Sequence, residues 1–323
     1  MITSLLVFIL AFLTLIFKRS KIVTYFIFGL MWVLFGWNYW NGDYDLYEAM
    51  YKNLFELINI FKYEGGYDAL MLLSNLCGFN FQEFLIIISA FILISHLRFL
   101  FAFSKFPAIV AFFFMLVFFP LQYVLLRNFL AFSIVLFGLI PLLKNSKFKY
   151  FKYVFAVLVA CTIHISSFFY LLFLPAFFKK KFRKKSIYIL VVVTLIRFVL
   201  SQSYITSIIS LSPQDRNSIY NTGFFQFIIY SAIQIANLIF VNHFLFSRDV
   251  TLTSINRNND DYVLNKSIVY INLIMLFLIV IYFKFAIFIR ILINFSFINM
   301  VFIMNQFSYT KYNTSLNKFL IFL

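Results

Sequence analysis

The chain has 323 residues, of which 63% are hydrophobic and 12% charged, whereas a soluble domain carries about 25% charged residues. This composition excludes a water-soluble fold and indicates a chain that lies mostly in lipid, as does its mean hydropathy of +0.95. The net charge of +16 does not indicate nucleic acid as a partner, because the basic residues form short runs between apolar stretches, where they orient membrane spans.

Apolar stretches follow one another along the whole chain, each near the length of about 20 residues that crosses a bilayer core. The predicted spans are residues 2–17, 22–38, 84–101, 107–125, 128–143, 186–203, 223–247, 267–283 and 285–304. The fold class is therefore an all-α polytopic integral membrane protein with about nine transmembrane helices. The first stretch is followed, not preceded, by basic residues, so we expect a retained anchor rather than a cleaved signal.

Four basic segments set the predicted orientation: residues 18–21, 98–105, 144–152 and 179–185. The positive-inside rule places all four in the cytoplasm, with the N-terminus outside. Residues 153–178 lie between two of these segments, so a single crossing would leave one basic segment outside. We therefore predict a re-entrant helical hairpin over 153–178 with its turn near 162–166, which requires protein or a wet cavity around that backbone. A single span is the alternative.

Residues 38–83 form the predicted external acidic loop, with seven carboxylates and only two lysines. Within it, the apolar segment 67–76 is too short to cross the bilayer and is predicted to be an interfacial helix. A second external loop is expected at 204–222. Because the chain has no internal repeat and no soluble domain, we predict one membrane domain over residues 1–323.

Charged side chains within or beside a span are candidates for function, because placing them there costs free energy. Arg127, His164, Arg290 and Asp43 are the candidate catalytic residues, and the predicted topology places all four at the outer face. Each has a structural interpretation. The arginines would snorkel to lipid headgroups, the histidine would bond a neighbouring helix, and Asp43 and Asp45 would be solvated loop acids.

Tyr44 and Tyr47 stand beside these acids and are, with Asp45, candidates for binding substrate. Their rings would stack on sugars or form the interfacial aromatic belt. Asp43 and Asp45 form a lone D-x-D, which is a weak metal signal, and the two cysteines belong to no ligand cluster. We therefore predict no metal and no cofactor.

Two guanidiniums at the outer face suit a lipid diphosphate, because arginine binds phosphate oxygens bidentately and stays charged. If the diphosphate carries a sugar, Arg127 and Arg290 would stabilise the charge on the leaving group. The attacking hydroxyl must lose its proton, for which Asp43, Asp45 or His164 is available. No nucleotide-binding motif such as a P-loop occurs in the sequence.

Four blocks of the sequence are similar to a known family. NYWNGDYDLYEAMY (38–51) and YEGGYDALMLLSNLCGFNFQEFLIIIS (63–89) resemble the N-x-D-Y-x-x-Y and E-x-G-Y blocks of the EpsG-like, Wzy-type polysaccharide polymerases. LLRNFLAFSIVLF resembles the family's Arg followed by a Leu-Ala pair, and VACTIHISSFFYLLFLP resembles its small-residue stretch with a His. Arg290 resembles the Arg that begins a late span of the family. The polar sequence after Met304 departs from the pattern, since relatives tend to carry further hydrophobic sequence there.

The resemblance implies a membrane glycosyltransferase that joins polyprenyl-diphosphate-linked oligosaccharide repeat units into a capsule, exopolysaccharide or O-antigen. It implies action at the outer face of the cytoplasmic membrane of a bacterium, with Asp43, Arg127, His164 and Arg290 as functional residues and Tyr47 beside them. Membrane lipid, a chain-length regulator and a flippase are the further partners to expect.

Two other functions compete with polymerisation. A flippase of lipid-linked oligosaccharide would carry charges along a central path and show two related halves, whereas here the charges gather at one predicted face. A membrane O-acyltransferase would also use a histidine, but its acyl donor would arrive from the cytoplasm.

Overall fold

The computed structural model of the protein describes residues 2–39, 42–53, 64–178, 223–247, 259–282 and 285–307. Within these residues every regular element is a helix, which confirms the all-α part of the predicted fold class. Contacts divide the chain into two compact units, Met1–Phe168 with Met300–Leu323, and Phe169–Asn299. That the two units form one membrane domain stays a prediction.

Among the described residues, the first unit contains helices that follow one another along the chain. They are α1 (Ile2–Ile16), α2 (Lys21–Gly36), α3 (Tyr44–Lys52), α4 (Gly65–Leu76), α5 (Phe81–Phe103), α6 (Pro107–Gln122), α7 (Leu126–Leu143) and α8 (Lys149–Ile163). A π-helical stretch, Phe114–Phe118, lies inside α6.

The second unit contains most of a long 3₁₀ helix and the later α-helices. They are the 3₁₀ helix Ile165–Phe177, α9 (Phe224–Asn242) with a π-helical turn at His243–Ser247, α10 (Asn259–Met275), α11 (Leu278–Tyr282) and α12 (Ile289–Gln306). The last turns of α12 belong to the first unit.

Where the structure describes the predicted spans, most of their residues are helical. The span predicted at 186–203 and the loop predicted at 204–222 lie outside the described residues. Among the described helices, five are long and apolar enough to cross a membrane: Phe81–Phe103, Leu126–Leu143, Phe224–Leu245, Val263–Tyr282 and Ile289–Gln306. The structure therefore supports a membrane protein, and the number of nine crossings stays a prediction.

Local signals in the sequence mark where helices of the first unit begin. Ser20 caps α2, its hydroxyl oxygen accepting the Val23 N–H at 3.2 Å. Asn80 and Glu83 form a capping box at α5, each side chain accepting the backbone N–H of the other at 3.0 and 2.8 Å. Pro107 occupies the first turn of α6, where a missing N–H has no cost.

Three of the four basic segments meet at one end of the first unit. The ammonium group of Lys21 lies 5.8 Å from the ring of Phe101, and that of Lys144 lies 5.8 Å from the ring of Phe103. The start of α2, the end of α5 and the end of α7 are therefore together. The fourth segment, 179–185, lies outside the described residues.

The opposite end of this unit holds the helices of the predicted external loop. Tyr44 of α3 donates to the Gln82 side chain at 3.0 Å, and the Gln82 amide donates to the Gly36 carbonyl. Tyr51 donates to the Phe79 carbonyl at 2.7 Å. These bonds attach α3 to the end of α2 and the start of α5, away from the basic end.

Helices α7 and α8 form a tightly packed helical hairpin. A Cβ at Gly138 would lie 2.6 Å from the Cβ of Ala156, so glycine is required for this close approach. Helix α8 ends at Ile163 and the 3₁₀ helix starts at Ile165, which places a helix break where the predicted turn of segment 153–178 lies. Re-entry of this segment into the membrane stays a prediction.

Amide side chains connect the helices of the second unit. Asn272 and Asn299 exchange hydrogen bonds at 2.8 and 2.9 Å, and Asn237 donates to Asn272 at 2.8 Å. Tyr282 donates to Gln234 at 2.8 Å. Such bonds hold helices together in lipid, where burying apolar surface drives little association.

Candidate functional site

Glu64 lies at the centre of a charged cluster in the first unit. One carboxylate oxygen, Oε2, accepts a hydrogen bond from Arg127 Nη1 at 3.2 Å. The other, Oε1, lies 2.7 Å from His164 Nδ1 and accepts the Ile165 N–H at 3.0 Å. This carboxylate thus joins the start of α4, the start of α7 and the end of α8.

The backbone around Glu64 is built to bring its carboxylate to α8. Glu64 itself has a left-handed conformation, with φ 69°. Two residues later, Gly66 packs so closely on Thr162 that a Cβ would lie 3.0 Å from the Thr162 carbonyl carbon and closer still to its side chain. Tyr67 follows and is completely buried. The sequence Glu-Gly-Gly-Tyr therefore turns the chain and docks the first turn of α4 against the end of α8.

Arg127 is held from several directions in the first turn of α7. Its Nε donates to the Tyr47 hydroxyl at 3.3 Å. Its guanidinium lies over the rings of Tyr47 and Tyr67, at 5.5 and 5.7 Å from their centroids. Among the described residues, the contacts to Tyr47 and Glu64 use two of the five guanidinium N–H groups. The other three N–H groups donate to no residue that the structure describes.

His164 follows the last residue of α8, and its two ring nitrogens differ in environment. Nδ1 faces Glu64, whereas Nε2 is shielded from solvent and has no hydrogen-bond partner within the described part of the chain. The Tyr67 hydroxyl is likewise buried, with no partner among those residues. Buried polar atoms are usually bonded, so these two atoms are exceptions within the cluster.

The cluster favours an ionised Glu64. Burial raises the pKa of the Glu64 carboxyl, but the hydrogen bond from His164, the His164 charge, the Ile165 N–H and the Arg127 charge lower it more. The net effect is a pKa below the ordinary value. The side chains of Glu64, Arg127 and His164 are 22%, 21% and 17% exposed, so solvent reaches the cluster only in part.

A comparison with known protein families decides which family this chain belongs to. The family model described as "EpsG family" matches residues 21–323. The chain belongs to the EpsG family. No curated protein and no solved structure shows a significant match to it. The EpsG family is associated with polysaccharide polymerase activity, and together with the apolar helices this membership identifies a membrane protein of polysaccharide biosynthesis.

The structure brings together three residues predicted for this EpsG-family chain. Arg127, His164 and Tyr47 belong to the cluster around Glu64. Asp43 stands at the N-cap position of α3, and its carbonyl accepts the Tyr47 N–H at 3.1 Å, so it lies one helical turn from the cluster.

Asp45 and Tyr44 have other surroundings. Asp45 is exposed in the first turn of α3. Tyr44 is buried and its hydroxyl bonds Gln82 of α5. Their predicted contacts with substrate stay predictions.

Arg290 lies in the second unit, half-buried in the first turn of α12. Its predicted role beside Arg127 stays a prediction from the sequence. Among the described residues, no three His, Cys, Asp or Glu side chains group closely enough to hold a metal ion.

Glu64 is the residue that the sequence analysis did not single out. It was counted as one of seven acids in the external loop, and no charge pattern separates it from the rest. The available signal was its place in the E-x-G-Y block, where a carboxylate directly precedes two glycines and a tyrosine. A left-handed residue before a close glycine contact is difficult to recognise without the structure.

Proposed function

We propose that this EpsG-family protein is a membrane glycosyltransferase that polymerises polyprenyl-diphosphate-linked oligosaccharide repeat units. It acts at the outer face of the cytoplasmic membrane of a bacterium and needs no metal or nucleotide. The observation that carries the proposal is the cluster in which Glu64 joins Arg127 to His164, since it combines an anion-binding group and a proton acceptor in one place. Family membership supplies the class of reaction.

Arg127 binds the diphosphate of the donor in this proposal. Its remaining N–H groups would contact phosphate oxygens, while Tyr47, Tyr67 and Glu64 hold the guanidinium in place. As the bond between the anomeric carbon and the diphosphate oxygen breaks, negative charge develops on the leaving polyprenyl diphosphate. A fixed cation stabilises that charge more in the transition state than in the ground state.

His164 accepts the proton of the attacking hydroxyl. The hydroxyl oxygen of the acceptor sugar forms the new glycosidic bond, its proton passes to Nε2, and the polyprenyl diphosphate departs with the electron pair. We favour His164 over Asp43 as the base, because His164 shares Glu64 with Arg127, whereas Asp43 lies one helical turn away. Arg290 keeps its proposed part in binding the donor on the strength of the sequence alone.

The distribution of charge supports an outer site. Lys21 and Lys144 lie at one end of the first unit, and α7 runs from Arg127 to the residue before Lys144. Eighteen helical residues span about 27 Å, and a bilayer core is about 30 Å thick, so the two lengths are similar. If the basic end is cytoplasmic, Arg127 and His164 lie at the outer surface.

A deletion strain complemented with variants tests this function. Without the protein, we expect single lipid-linked repeats in the outer leaflet and no long polymer. Arg127→Ala should reproduce that phenotype at wild-type protein level, with a loss of at least about 100-fold in polymer. Arg98→Ala is the matched control, because Arg98 lies on α5 against the Phe137 ring and outside the cluster.

Two results would reject the proposal. Wild-type polymer from the Arg127→Ala strain would show that the guanidinium has no part in the reaction. Accumulation of repeats in the cytoplasmic leaflet of the deletion strain would instead indicate a flippase.

A further inference from the structure

We propose that Glu64 is a positioning residue that holds His164 in one tautomer, with hydrogen on Nδ1 and the lone pair on Nε2. This inference rests on the proposed function, in which Nε2 accepts the proton of the acceptor hydroxyl. It assigns a role to a side chain that neither the family membership nor the sequence analysis had identified.

The first step of the argument is the direction of the hydrogen bond. An ionised carboxylate only accepts hydrogen bonds, so at the 2.7 Å contact with Glu64 Oε1 the His164 Nδ1 must be the donor. The Ile165 N–H and the Arg127 charge lower the pKa of Glu64 whatever the state of His164, which agrees with an ionised carboxylate at neutral pH. In a neutral imidazole, hydrogen on Nδ1 leaves Nε2 as the acceptor.

The second step is that the carboxylate is fixed by other contacts. The Ile165 N–H donates to the same oxygen at 3.0 Å, and Arg127 holds the second oxygen at 3.2 Å. The left-handed backbone of Glu64 and the close packing of Gly66 on Thr162 fix the main chain. These contacts hold the Glu64 carboxylate in place. Through its hydrogen bond to Nδ1, the carboxylate in turn restricts the orientation of the His164 ring.

The third step concerns the groups that surround the imidazole. Glu64 is the acid facing it, and Arg127 reaches the same carboxylate from α7, with Tyr47 and Tyr67 against the guanidinium. A positive charge on the His164 ring would be repelled by the Arg127 guanidinium and attracted by the Glu64 carboxylate. The Glu64 carboxylate can therefore stabilise the imidazolium that forms as His164 accepts the proton.

Nitrogen NMR of the full-length protein in detergent micelles tests the tautomer directly. The chain has only three histidines, so ¹⁵N-histidine labelling gives few signals, and His164→Gln assigns those of His164. In a spectrum recorded at alkaline pH, we expect a protonated Nδ1 and an unprotonated Nε2 in the wild type. Glu64→Gln should transfer part or all of the proton to Nε2, because an amide can donate to Nδ1.

The controls separate this role from a structural one. Glu48→Gln, in a partly exposed ion pair with Lys52, should leave the His164 signals unchanged. Glu64→Asp should keep the wild-type tautomer in a fraction of the molecules. If Glu64→Gln does not accumulate, the wild-type spectrum and Glu64→Asp still decide the matter. The inference is overturned by a wild-type spectrum with hydrogen on Nε2 or on both nitrogens.

An activity measurement links the tautomer to the reaction. Polymer formation by Glu64→Gln should fall about 100-fold, with partial recovery in Glu64→Asp. If the wild-type protein shows the expected tautomer but forms no polymer, the proposed function is rejected. The contact between Glu64 and His164 then still stands. Normal polymer formation by Glu64→Gln would reject the positioning role and leave the proposed function standing.

Discussion

One carboxylate in the first unit is shared by a guanidinium, an imidazole and a backbone N–H. A partly buried carboxylate needs such partners, because burial without them disfavours its charge. Since all three partners contact Glu64, loss of its charge changes the surroundings of both Arg127, the proposed donor-binding cation, and His164, the proposed base. Lowering the pH therefore tests the cluster, because it removes the charge of Glu64.

We expect Glu64 to stabilise the protein at neutral pH and not in acid. Its pKa is lower in the folded protein than the ordinary value of 4.5, so its contribution is present above about pH 4.5 and is lost as pH falls through the lower folded value. Glu64→Gln lacks this contribution at every pH. The difference in unfolding temperature between wild type and Glu64→Gln, followed by tryptophan fluorescence in detergent, should therefore shrink below about pH 4.5. A difference that stays constant or grows on acidification would contradict this assignment.

Among single residues, the sequence was sufficient to find the charged side chains that lie beside apolar spans. Arg127 and His164 stood out because charges beside spans are rare and costly. Glu64 did not, because an acidic loop contains many carboxylates and only a three-dimensional contact distinguishes one of them. The surroundings of Tyr44 could not be foreseen either, since its bond to Gln82 joins segments far apart in sequence.

Among the helices, the position of α4 against α8 controls where Glu64 lies. The contact depends on Gly66, which packs on Thr162 without a side chain of its own. The hairpin of α7 and α8 then brings Arg127 and His164 to the same end, because α7 begins and α8 ends there.

Gly66→Ala should separate α4 from α8. The added Cβ overlaps Thr162, and overpacking of this kind costs about 1–3 kcal/mol. We expect a lower unfolding temperature and a His164 spectrum that resembles that of Glu64→Gln. Gly29→Ala is the control, because a Cβ there meets nothing within 4 Å and alanine favours a helix. Wild-type spectrum and stability in Gly66→Ala would show that this contact does not position Glu64.

Element boundaries were predictable where apolar stretches end at charged or capping residues, as at Ser20 and Asn80. The irregular turns were not. The π-helical stretch in α6 and the 3₁₀ helix that starts at Ile165 lie inside apolar runs, where hydropathy is the same for every kind of helix. The helix break at His164 was expected because basic segments flank residues 153–178.

At the scale of the whole first unit, the charged groups are separated by about the thickness of a membrane core. Basic residues gather at one end of the first unit, and the Glu64 cluster lies at the other. The sequence predicted this separation because the positive-inside rule depends only on the order of lysines, arginines and spans. It could not predict that contacts divide the chain into two compact units, since that division depends on packing between helices.

Reconstitution of the purified protein tests the central claim most directly. Lipid vesicles containing wild-type protein and polyprenyl-diphosphate-linked repeat units should yield a ladder of products that grow by one repeat, with release of polyprenyl diphosphate. The same amount of Arg127→Ala protein should leave single repeats, whereas Arg98→Ala should give the wild-type ladder. A full ladder from Arg127→Ala, or wild-type vesicles that move single repeats across the bilayer without joining them, would contradict the account.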